Sequence, residues 1–388
     1  MTPVISTAII GGGALGIAVA YTLLKRGHKD LVLLEKNSSL GLEQSGSNSG
    51  VVHAGFLYES GTLMAELCVK GVELLYEFCE KNAVPYKKTG KMVVATSEEQ
   101  EKKLEFYYRR AIDNGLQDVE IISGKEIKKL EPCVEAKAAL HVKQSGIIDP
   151  SSYISSLYKK AAVMHDTPDL LLKGCKVTGI VPKQDHFLID VEQLHAETRH
   201  WQLKCETLIN AAGLYALDIA WMIHPHMPYQ KQYLRGEYYQ FNSRKGFFNK
   251  MNIYPIPVEI ELPGGGNFLD FGTHLTPKVG SDARGKTRVA KEILVGPIFR
   301  EVSDPQDYRS MIDSAIFYDS VNAFFPFLKK EDLYKGHTGI LGLIKDQTDF
   351  MILKDDQYPH CVHLLGMESP ALTASLAIGI YVADMIGR

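Results

Sequence analysis

Residues 4–16 have the sequence VISTAIIGGGALG, an apolar run that ends in closely spaced glycines. The apolar and β-branched residues Val4–Ile10 predict a parallel strand buried on both faces. Gly11 allows a tight turn, Gly13 lets the backbone approach a pyrophosphate, and Gly16 lets the next helix pack on the strand. The N-terminus of that helix favours negative charge. The stretch therefore predicts a dinucleotide-binding turn.

The residues after this turn complete the pattern. Residues 14–26 are rich in Ala and Leu and are followed by Gly27, which predicts a helix with a C-terminal stop. Residues 31–34 predict a second strand, and Glu35 follows it, 19 residues after Gly16. A carboxylate at this position accepts hydrogen bonds from ribose hydroxyls. The order of strand, glycines, helix, strand and acid favours a dinucleotide site over a simple glycine turn.

Composition indicates a large enzyme. A chain of 388 residues is long for one hydrophobic core, so we expect two domains. With 43 basic and 46 acidic residues, the net charge of -3 argues against a nucleic-acid partner. The cysteines form no CxxC pair and predict reduced thiols without a disulfide framework or metal site; they are Cys68, Cys79, Cys133, Cys175, Cys205 and Cys361.

The two ends of the sequence bear on localisation. The glycine motif begins almost at Met1, so we expect no signal peptide and a cytoplasmic protein. No stretch has the apolar length of a membrane span. The closest is residues 372–386, which Ser375, Gly379 and Asp384 interrupt. This segment predicts a buried helix, with peripheral membrane contact as the alternative.

The amino-acid composition changes in the middle of the chain. Residues 177–181 and 187–191 predict a hairpin, and residues 207–213, TLINAAG, predict a strand that ends in small residues, suited to a close backbone approach. Residues 225–326 are rich in Tyr, Phe, Pro and Gly. We interpret this region as a cap of short strands that closes over a small molecule.

Several segments in the right order resemble one known family: SGSNSGVVHAG (45–55), GIIDP (146–150), LINAAG (208–213), RGEYY (235–239), YPIP (254–257), GTHLTP (272–277) and GMESPALTASLAIG (366–379). Together they resemble the L-2-hydroxyglutarate dehydrogenase/oxidase branch of the D-amino-acid-oxidase-like FAD superfamily. The resemblance spans nearly the whole chain. It implies an α/β fold with a Rossmann-like FAD-binding domain of glutathione-reductase type and a β-sheet-rich (α+β) substrate-binding domain.

The resemblance also implies domain bounds and a cofactor site. The FAD-binding domain would be discontinuous, with residues 1–85, 140–224 and 335–388, and the substrate-binding cap would hold residues 86–139 and 225–334. FAD would contact residues in both N- and C-terminal segments: Gly11, Gly13, Ala14, Leu15, Gly16, Glu35, Lys36, Ser45, Ser47, Asn48, Ser49, Gly50, Val51, Val177, Ala212, Gly213, Gly366, Ser369, Pro370, Ala371, Leu372 and Thr373. The helix after Gly366 would direct its N-terminal amides at the flavin's pyrimidine end, which becomes anionic on reduction. A covalent flavin link near His53 stays open.

His53 is the candidate for proton chemistry. Oxidation of a secondary alcohol removes a hydride from carbon and a proton from the hydroxyl, and an imidazole with a pKa near 6.5 suits a general base. The alternative is a packed histidine that orients the flavin. His274 is the second catalytic candidate, as a donor or charge partner facing the substrate, with a structural role as its alternative.

Four further residues are candidate substrate ligands. Tyr239 and Tyr254 could supply hydroxyls, although aromatic residues in a cap are more often packed. Arg235 and Lys278 are candidate carboxylate partners, although most such cations are solvated. Relatives carry an arginine for the substrate carboxylate about where Leu341 stands here; a leucine cannot bind a carboxylate. A cap residue, Lys345 or His337 would then act instead, or the substrate differs.

The sequence thus predicts an FAD-dependent 2-hydroxyacid dehydrogenase or oxidase that converts L-2-hydroxyglutarate to 2-oxoglutarate and passes electrons to oxygen, a quinone or another carrier. One alternative keeps the fold and flavin with another alcohol or amine, such as glycerol 3-phosphate or an amino acid. A second is a flavin-binding redox sensor without turnover. An NAD-dependent dehydrogenase shares the glycine motif but not the segments around residues 47–55 and 368–379.

Overall fold

The computed structural model of this protein describes residues 4–165, 170–194, 199–243, 250–282 and 285–387. Within these ranges, the strands are β1 (Val4–Ile10), β2 (Leu31–Glu35), β3 (Val51–Val52), β4 (Tyr86–Lys87), β5 (Lys91–Ala95), β6 (Val119–Ser123), β7 (Ala138–Val142), β8 (Gly146–Ile148), β9 (Leu171–Lys173), β10 (Cys175–Pro182), β11 (Phe187–Gln193), β12 (Arg199–Asn210), β13 (Lys231–Asn242), β14 (Asn252–Pro255), β15 (Val258–Glu261), β16 (Asn267–Asp270), β17 (His274–Ser281), β18 (Thr287–Val302), β19 (Tyr334–Ile344), β20 (Met351–Lys354) and β21 (Cys361–Leu365). The α-helices are α1 (Ala14–Lys25), α2 (Leu63–Lys81), α3 (Glu98–Asp113), α4 (Gly124–Leu130), α5 (Pro150–Met164), α6 (Ala216–Ile223), α7 (Ser314–Asn322) and α8 (Ala371–Met385).

Contacts divide the chain into two units, each built from separate segments. Unit 1 contains residues 1–46, 151–232 and 342–388, and unit 2 contains residues 47–150 and 233–341. Residues 47–85 and 140–150, which the sequence analysis assigned to the FAD-binding domain, pack within unit 2. The chain therefore passes between the two units several times, as the predicted discontinuous domains also require.

Unit 1 is organised around a sheet with β1 near its centre. The sheet has the order β10-β11-β12-β1-β2-β9; β21 pairs with β12, and β20 with β21. β1 runs parallel to both β12 and β2, while β10, β11 and β12 form an antiparallel meander that includes the predicted hairpin. The buried residues Thr7–Ile10 and Leu31–Leu34 suit these positions, whereas Val4 at the start of β1 is exposed. The predicted first strand, helix and second strand are confirmed.

The helices α1 and α8 pack closely in unit 1. Gly379 of α8 lies against the backbone of α1, because a Cβ there would be 2.6 Å from the Ala18 carbonyl oxygen. Most residues of α8 are buried, which confirms the interpretation of residues 372–386 as a buried helix. No helix in the described ranges is both long and apolar enough to cross a membrane.

Unit 2 contains an eight-stranded sheet of order β19-β13-β18-β17-β14-β5-β7-β6 and a three-stranded sheet of order β3-β8-β4. The β-rich cap is confirmed, but the expectation of short strands is wrong for β13 and β18, which have 12 and 16 residues. These two strands pair antiparallel from Tyr233 to Asn242 with one register shift between Glu237 and Tyr239, so a long ladder sustains their length. The described cysteines, six in all, are buried and make no disulfide.

Glu131 follows α4 and is buried, with 1% of its surface exposed. Its Oε1 accepts hydrogen bonds from the backbone amides of Lys250 and Met251 at 2.6 and 2.7 Å. Burial raises the pKa of this carboxyl from 4.5 to about 7, although both hydrogen bonds act to lower it. The folded state therefore favours the protonated acid.

This shift predicts the effect of Glu131→Gln. Because the folded pKa is raised, the stability that the protonated carboxyl contributes is fully present below pH 4.5 and is lost as the pH rises through about 7. Glutamine stays neutral, so we expect the variant to exceed the wild type in unfolding free energy by about 2 kcal/mol at pH 8 and to match it at pH 5. Urea denaturation at the two pH values measures this, with Glu105→Gln on exposed α3 as control. A variant that is less stable at pH 8 would contradict the prediction.

Candidate functional site

The turn after β1 has room only for glycine at two positions. Gly11 has a φ of +112°, and a Cβ there would be 2.2 Å from the Ala211 carbonyl oxygen. A Cβ on Gly16 would be 2.0 Å from the Gly11 carbonyl oxygen. The turn, β12 and the first turn of α1 are therefore packed backbone against backbone, as the predicted glycine pattern requires.

The helix α1 begins at a glycine, which has no side chain to cap it. Gly13 is its N-cap and makes no side-chain capping bond. The amide of Ala14 donates a 3.0 Å hydrogen bond to Ser45 Oγ, so the Ser45 hydroxyl lies at the start of the helix. Leu15 belongs to the same first turn. The glycine-rich turn and the helix dipole suit a pyrophosphate.

Glu35 ends β2 beside this turn. Its Oε2 accepts a 2.7 Å hydrogen bond from the Gly12 amide, and its Oε1 accepts one of 2.7 Å from the Asn37 amide. Burial raises the pKa of this carboxyl, and the two amides act in the opposite direction. A carboxylate has about four lone-pair sites, so it can hold the turn and still accept hydrogen bonds from a ribose.

Other predicted cofactor residues of unit 1 have defined surroundings. Lys36 forms an ion pair with Glu43, and its Nζ lies 4.3 Å from the centroid of the Tyr215 ring. Val177 is buried in β10. The amide of Ala212 donates to Asn210 Oδ1 at 3.3 Å, and Gly213 has a φ of +55°.

The C-terminal predicted segment also lies in unit 1. Gly366 has a φ of +60°, and Ser369, Pro370, Ala371, Leu372 and Thr373 lead into α8. Pro370 is the N-cap of α8, and its apolar side chain does not cap the helix amides. Burial raises the pKa of the nearby Glu368 to about 8. The sequence analysis did not single out Glu368, since nothing in its local pattern signals burial.

In unit 2, the loop before His53 is held by its own backbone contacts. The Gly50 amide donates to Asn48 Oδ1 at 2.9 Å, and a Cβ on Gly50 would lie 2.5 Å from the Ile148 carbonyl oxygen. Ser49 hydrogen-bonds the buried Tyr238 hydroxyl. Val51 then pairs with β8. Ser47 opens this loop, whose predicted cofactor contacts stay a prediction.

His53 lies directly after β3 in an apolar environment. Cys68 donates a weak 3.6 Å hydrogen bond to the His53 carbonyl oxygen, and the Tyr58 hydroxyl lies 3.4 Å from His53 Nδ1. The rings of Tyr58 and Phe271 each lie 6.3 Å from the imidazole, centroid to centroid. Burial holds the pKa of His53 well below its usual value, and Lys91 and His274 add to this effect. The imidazole is therefore neutral at physiological pH.

His274 is close to His53 and is also neutral. Its ring stacks on Tyr254 with 3.8 Å between centroids and 10° between planes, and its Nδ1 donates to the Gly272 carbonyl oxygen at 2.9 Å. Burial lowers its pKa to about 3. Its Nε2 is buried and has no hydrogen-bond partner among the described residues. The structure thus brings together three predicted site residues, His53, Tyr254 and His274.

The other predicted substrate ligands of unit 2 have protein partners. Arg235 is buried and pairs with Glu237 and Asp307 at 3.1 and 2.7 Å. Lys278 contacts Glu292 at 2.7 Å and Gln240 at 3.1 Å. A cation that protein carboxylates already neutralise is poorly placed to bind a substrate carboxylate.

Tyr239 is also held by contacts with other residues of the protein. It packs against Phe317 and donates a hydrogen bond to the Ile312 carbonyl oxygen at 3.3 Å.

Leu341 and His337 lie on β19, and the His337 ring stacks on Tyr238 with 4.4 Å between centroids. Burial lowers the pKa of His337 to about 4, so this imidazole could donate or accept a hydrogen bond but carries no charge at neutral pH.

Lys91 is a site residue that the sequence analysis missed. It is fully buried, at 0% exposure, and its Nζ has no hydrogen-bond partner among the residues that the structure describes. Its Nζ lies 3.8 Å from the centroid of the Tyr254 ring. A lysine that opens a predicted strand carries no sequence signal that distinguishes a buried amine from a solvated one.

Comparison with known proteins agrees with this geometry. A family model described as FAD dependent oxidoreductase (DAO) matches residues 6–385. The chain is 32% identical to L-2-hydroxyglutarate dehydrogenase of Indibacter alkaliphilus, over 97% of each protein. It is 31% identical to the mitochondrial L-2-hydroxyglutarate dehydrogenase of Arabidopsis thaliana, over 99% of this chain and 84% of the relative.

Solved structures show the same fold. The L-α-glycerophosphate oxidase of Mycoplasma pneumoniae, solved with FAD bound, superposes with a TM-score of 0.82 at 24% identity, over 100% of this chain and 96% of that one. The glycine oxidase of Geobacillus kaustophilus superposes with a TM-score of 0.79 at 17% identity, over 100% of this chain and 95% of that one. The resemblance noted from the sequence motifs is confirmed, and so are the Rossmann-like fold and the FAD-dependent class. This chain belongs to the DAO family of FAD-dependent oxidoreductases.

Proposed function

We propose that this protein oxidises L-2-hydroxyglutarate to 2-oxoglutarate with FAD as the electron acceptor. The observation that carries the proposal is similarity over nearly the full length to relatives named L-2-hydroxyglutarate dehydrogenase in a bacterium and a plant. The reaction removes two electrons and two protons from the substrate, so it needs a hydride acceptor and a proton acceptor. The electrons then pass to oxygen, a quinone or another carrier.

Bound FAD supplies the hydride acceptor at its N5 atom. The residues that fit its pyrophosphate and ribose are Gly11, Gly13, Ser45 and Glu35, since they place a glycine turn, a hydroxyl and a carboxylate around the start of α1. Mitochondrial names occur among the relatives, so the cytoplasmic expectation stays a prediction.

His53 is the proposed proton acceptor. A neutral imidazole has the lone pair that a base needs, and burial keeps this imidazole neutral. We assign the role to Nε2, because Nδ1 lies 3.4 Å from the Tyr58 hydroxyl. The Tyr58 and Phe271 rings form apolar walls beside it, which restrict water around the base.

An anaerobic titration of the flavin absorbance tests the proposal. We expect L-2-hydroxyglutarate to bleach the oxidised-flavin spectrum, and D-2-hydroxyglutarate, glycerol 3-phosphate and amino acids to leave it unchanged. Bleaching by glycerol 3-phosphate or an amino acid instead would overturn the substrate assignment. No bleaching by any of them would favour a redox sensor, and a colourless protein that binds NAD would contradict the flavin assignment.

A further inference from the structure

Lys91 lies on the face of β5 that supports the His53 loop. Side chains alternate along a strand, so Lys91, Val93 and Ala95 share one face. Val93 and Ala95 pack in the apolar cluster that includes Val51, two residues before His53, and Ala54, directly after it. The Lys91 Nζ lies 5.9 Å from the Phe56 ring centroid. The strand pattern therefore points the Lys91 amine towards the loop that carries the proposed base.

Aromatic and sulfur groups connect Lys91 to the two histidines. The Lys91 Nζ and the His274 ring each lie 3.8 Å from the centroid of the Tyr254 ring, so they occupy its opposite faces. Cys68 contacts the His53 carbonyl and is also within electrostatic range of Lys91. Lys91 is within electrostatic range of both His53 and His274.

The charge of Lys91 is not balanced by the protein. A buried charge is costly unless it is paired, and the described residues around the Nζ offer aromatic faces rather than a carboxylate. Burial lowers the pKa of Lys91 to about 7. At neutral pH its amine is therefore partly protonated, and below that pH it is an ammonium.

The Tyr58, Cys68 and His274 side chains near His53 are neutral, whereas Arg110 is a second cation that contacts the same loop. The Tyr58 phenol and the Cys68 thiol carry no charge, because burial raises the pKa of Cys68, and His274 is neutral above pH 3. Arg110 of α3 donates to the Leu57 carbonyl oxygen on the same loop. Burial is the main cause of the lowered pKa of His53, and Lys91 and His274 add to it.

We propose that Lys91 is a positioning residue whose ammonium adds to burial in keeping the imidazole of His53 unprotonated, so that the base is ready to accept the substrate's hydroxyl proton in acidic as well as neutral solution. The proposal rests on the proposed function, since it assumes that His53 is the base. It differs from a packing role, because a packing residue would affect the reaction equally at every pH.

The test compares Lys91→Met and Lys91→Arg in the FAD-loaded protein. Methionine keeps the length and apolar stem without the charge, and arginine keeps the charge. The first readout is the rate of flavin reduction by L-2-hydroxyglutarate from pH 5 to pH 8. We expect the acid limb in Lys91→Met to move up by about half a pH unit to one unit and to stay below the ordinary histidine pKa, because burial still favours the neutral imidazole. Its rate at pH 8 should stay near the wild-type rate, and the Lys91→Arg profile should match the wild type.

The second readout is the NMR titration of the His53 ring, assigned by its loss in His53→Gln. The His53 pKa should rise in Lys91→Met and not in Lys143→Met, which removes an exposed cation from the same unit. An unchanged His53 titration, or an equal loss of rate at all pH values, overturns the proposal. If L-2-hydroxyglutarate reduces neither variant nor wild type, the proposed function fails, and the NMR titration still decides the role of Lys91. Should Lys91→Met not fold, Lys91→Gln takes its place.

Discussion

Replacing His53 with alanine is expected to slow the reduction of the bound flavin by L-2-hydroxyglutarate by about 10²- to 10⁴-fold, the usual contribution of a positioned general base. The FAD should stay bound, because the residues proposed for its pyrophosphate and ribose lie at Gly11–Gly16 and Glu35. Stopped-flow absorbance under anaerobic conditions measures the rate. Added imidazole should restore part of it by entering the space that the side chain leaves.

The control is His186→Ala, which removes an imidazole paired with Asp185 in unit 1. This variant should reduce its flavin at the wild-type rate. If His53→Ala also does so, His53 has no part in proton transfer. If His53→Ala loses its FAD instead, the histidine acts mainly in binding the cofactor, which is the alternative that the sequence left open.

The second large effect is expected for Gly16→Ala. The new methyl group would lie 2.0 Å from the Gly11 carbonyl oxygen, so α1 must move away from the turn that precedes it. Because this movement shifts the amides that face the pyrophosphate, we expect FAD affinity to fall by about 100-fold or more, about 3 kcal/mol. Fluorescence titration of the apoprotein with FAD measures the loss.

Gly27→Ala is the matched control at the other end of the same helix. Gly27 has a φ of +90°, but a Cβ there meets nothing within 4 Å. Alanine should therefore cost about 1 kcal/mol of stability through its backbone conformation while FAD affinity stays unchanged. Equal FAD affinities in the two variants would contradict the role assigned to close packing at Gly16.

The fold around the cofactor could be predicted because its signals are local. The strand, turn, helix and second strand of residues 4–35 follow one another in the chain, and each has its own sequence signal. Glu35 was expected at the ribose, but its hydrogen bond to the Gly12 amide could not be predicted. That contact depends on how the end of β2 lies against the turn.

The surroundings of the candidate substrate residues depend on segments that are distant in the chain. The sequence therefore predicts this part of the site less completely than the cofactor turn. Arg235 stays a candidate carboxylate ligand, but the fold places Asp307 beside it, and no local pattern signals that ion pair. Lys91 is buried because β5 pairs with β14, whose Tyr254 lies far along the chain and covers the amine. A residue's exposure and ionic partners are set by such pairings, and a single sequence does not record them.

The pairing of β1 with β12, and the packing of α8 on α1, have a consequence for biosynthesis. When Val4–Ile10 leaves the ribosome, its neighbour Arg199–Asn210 has not yet been made, and the helix Ala371–Met385 that covers α1 is made later still. Unit 1 therefore cannot be completed until late in translation. Until then, an open strand edge and an apolar helix face stay exposed to chaperones and to other nascent chains. Cofactor loading should thus follow synthesis of α8, and a ribosome stalled before that helix should display a chain that does not retain FAD.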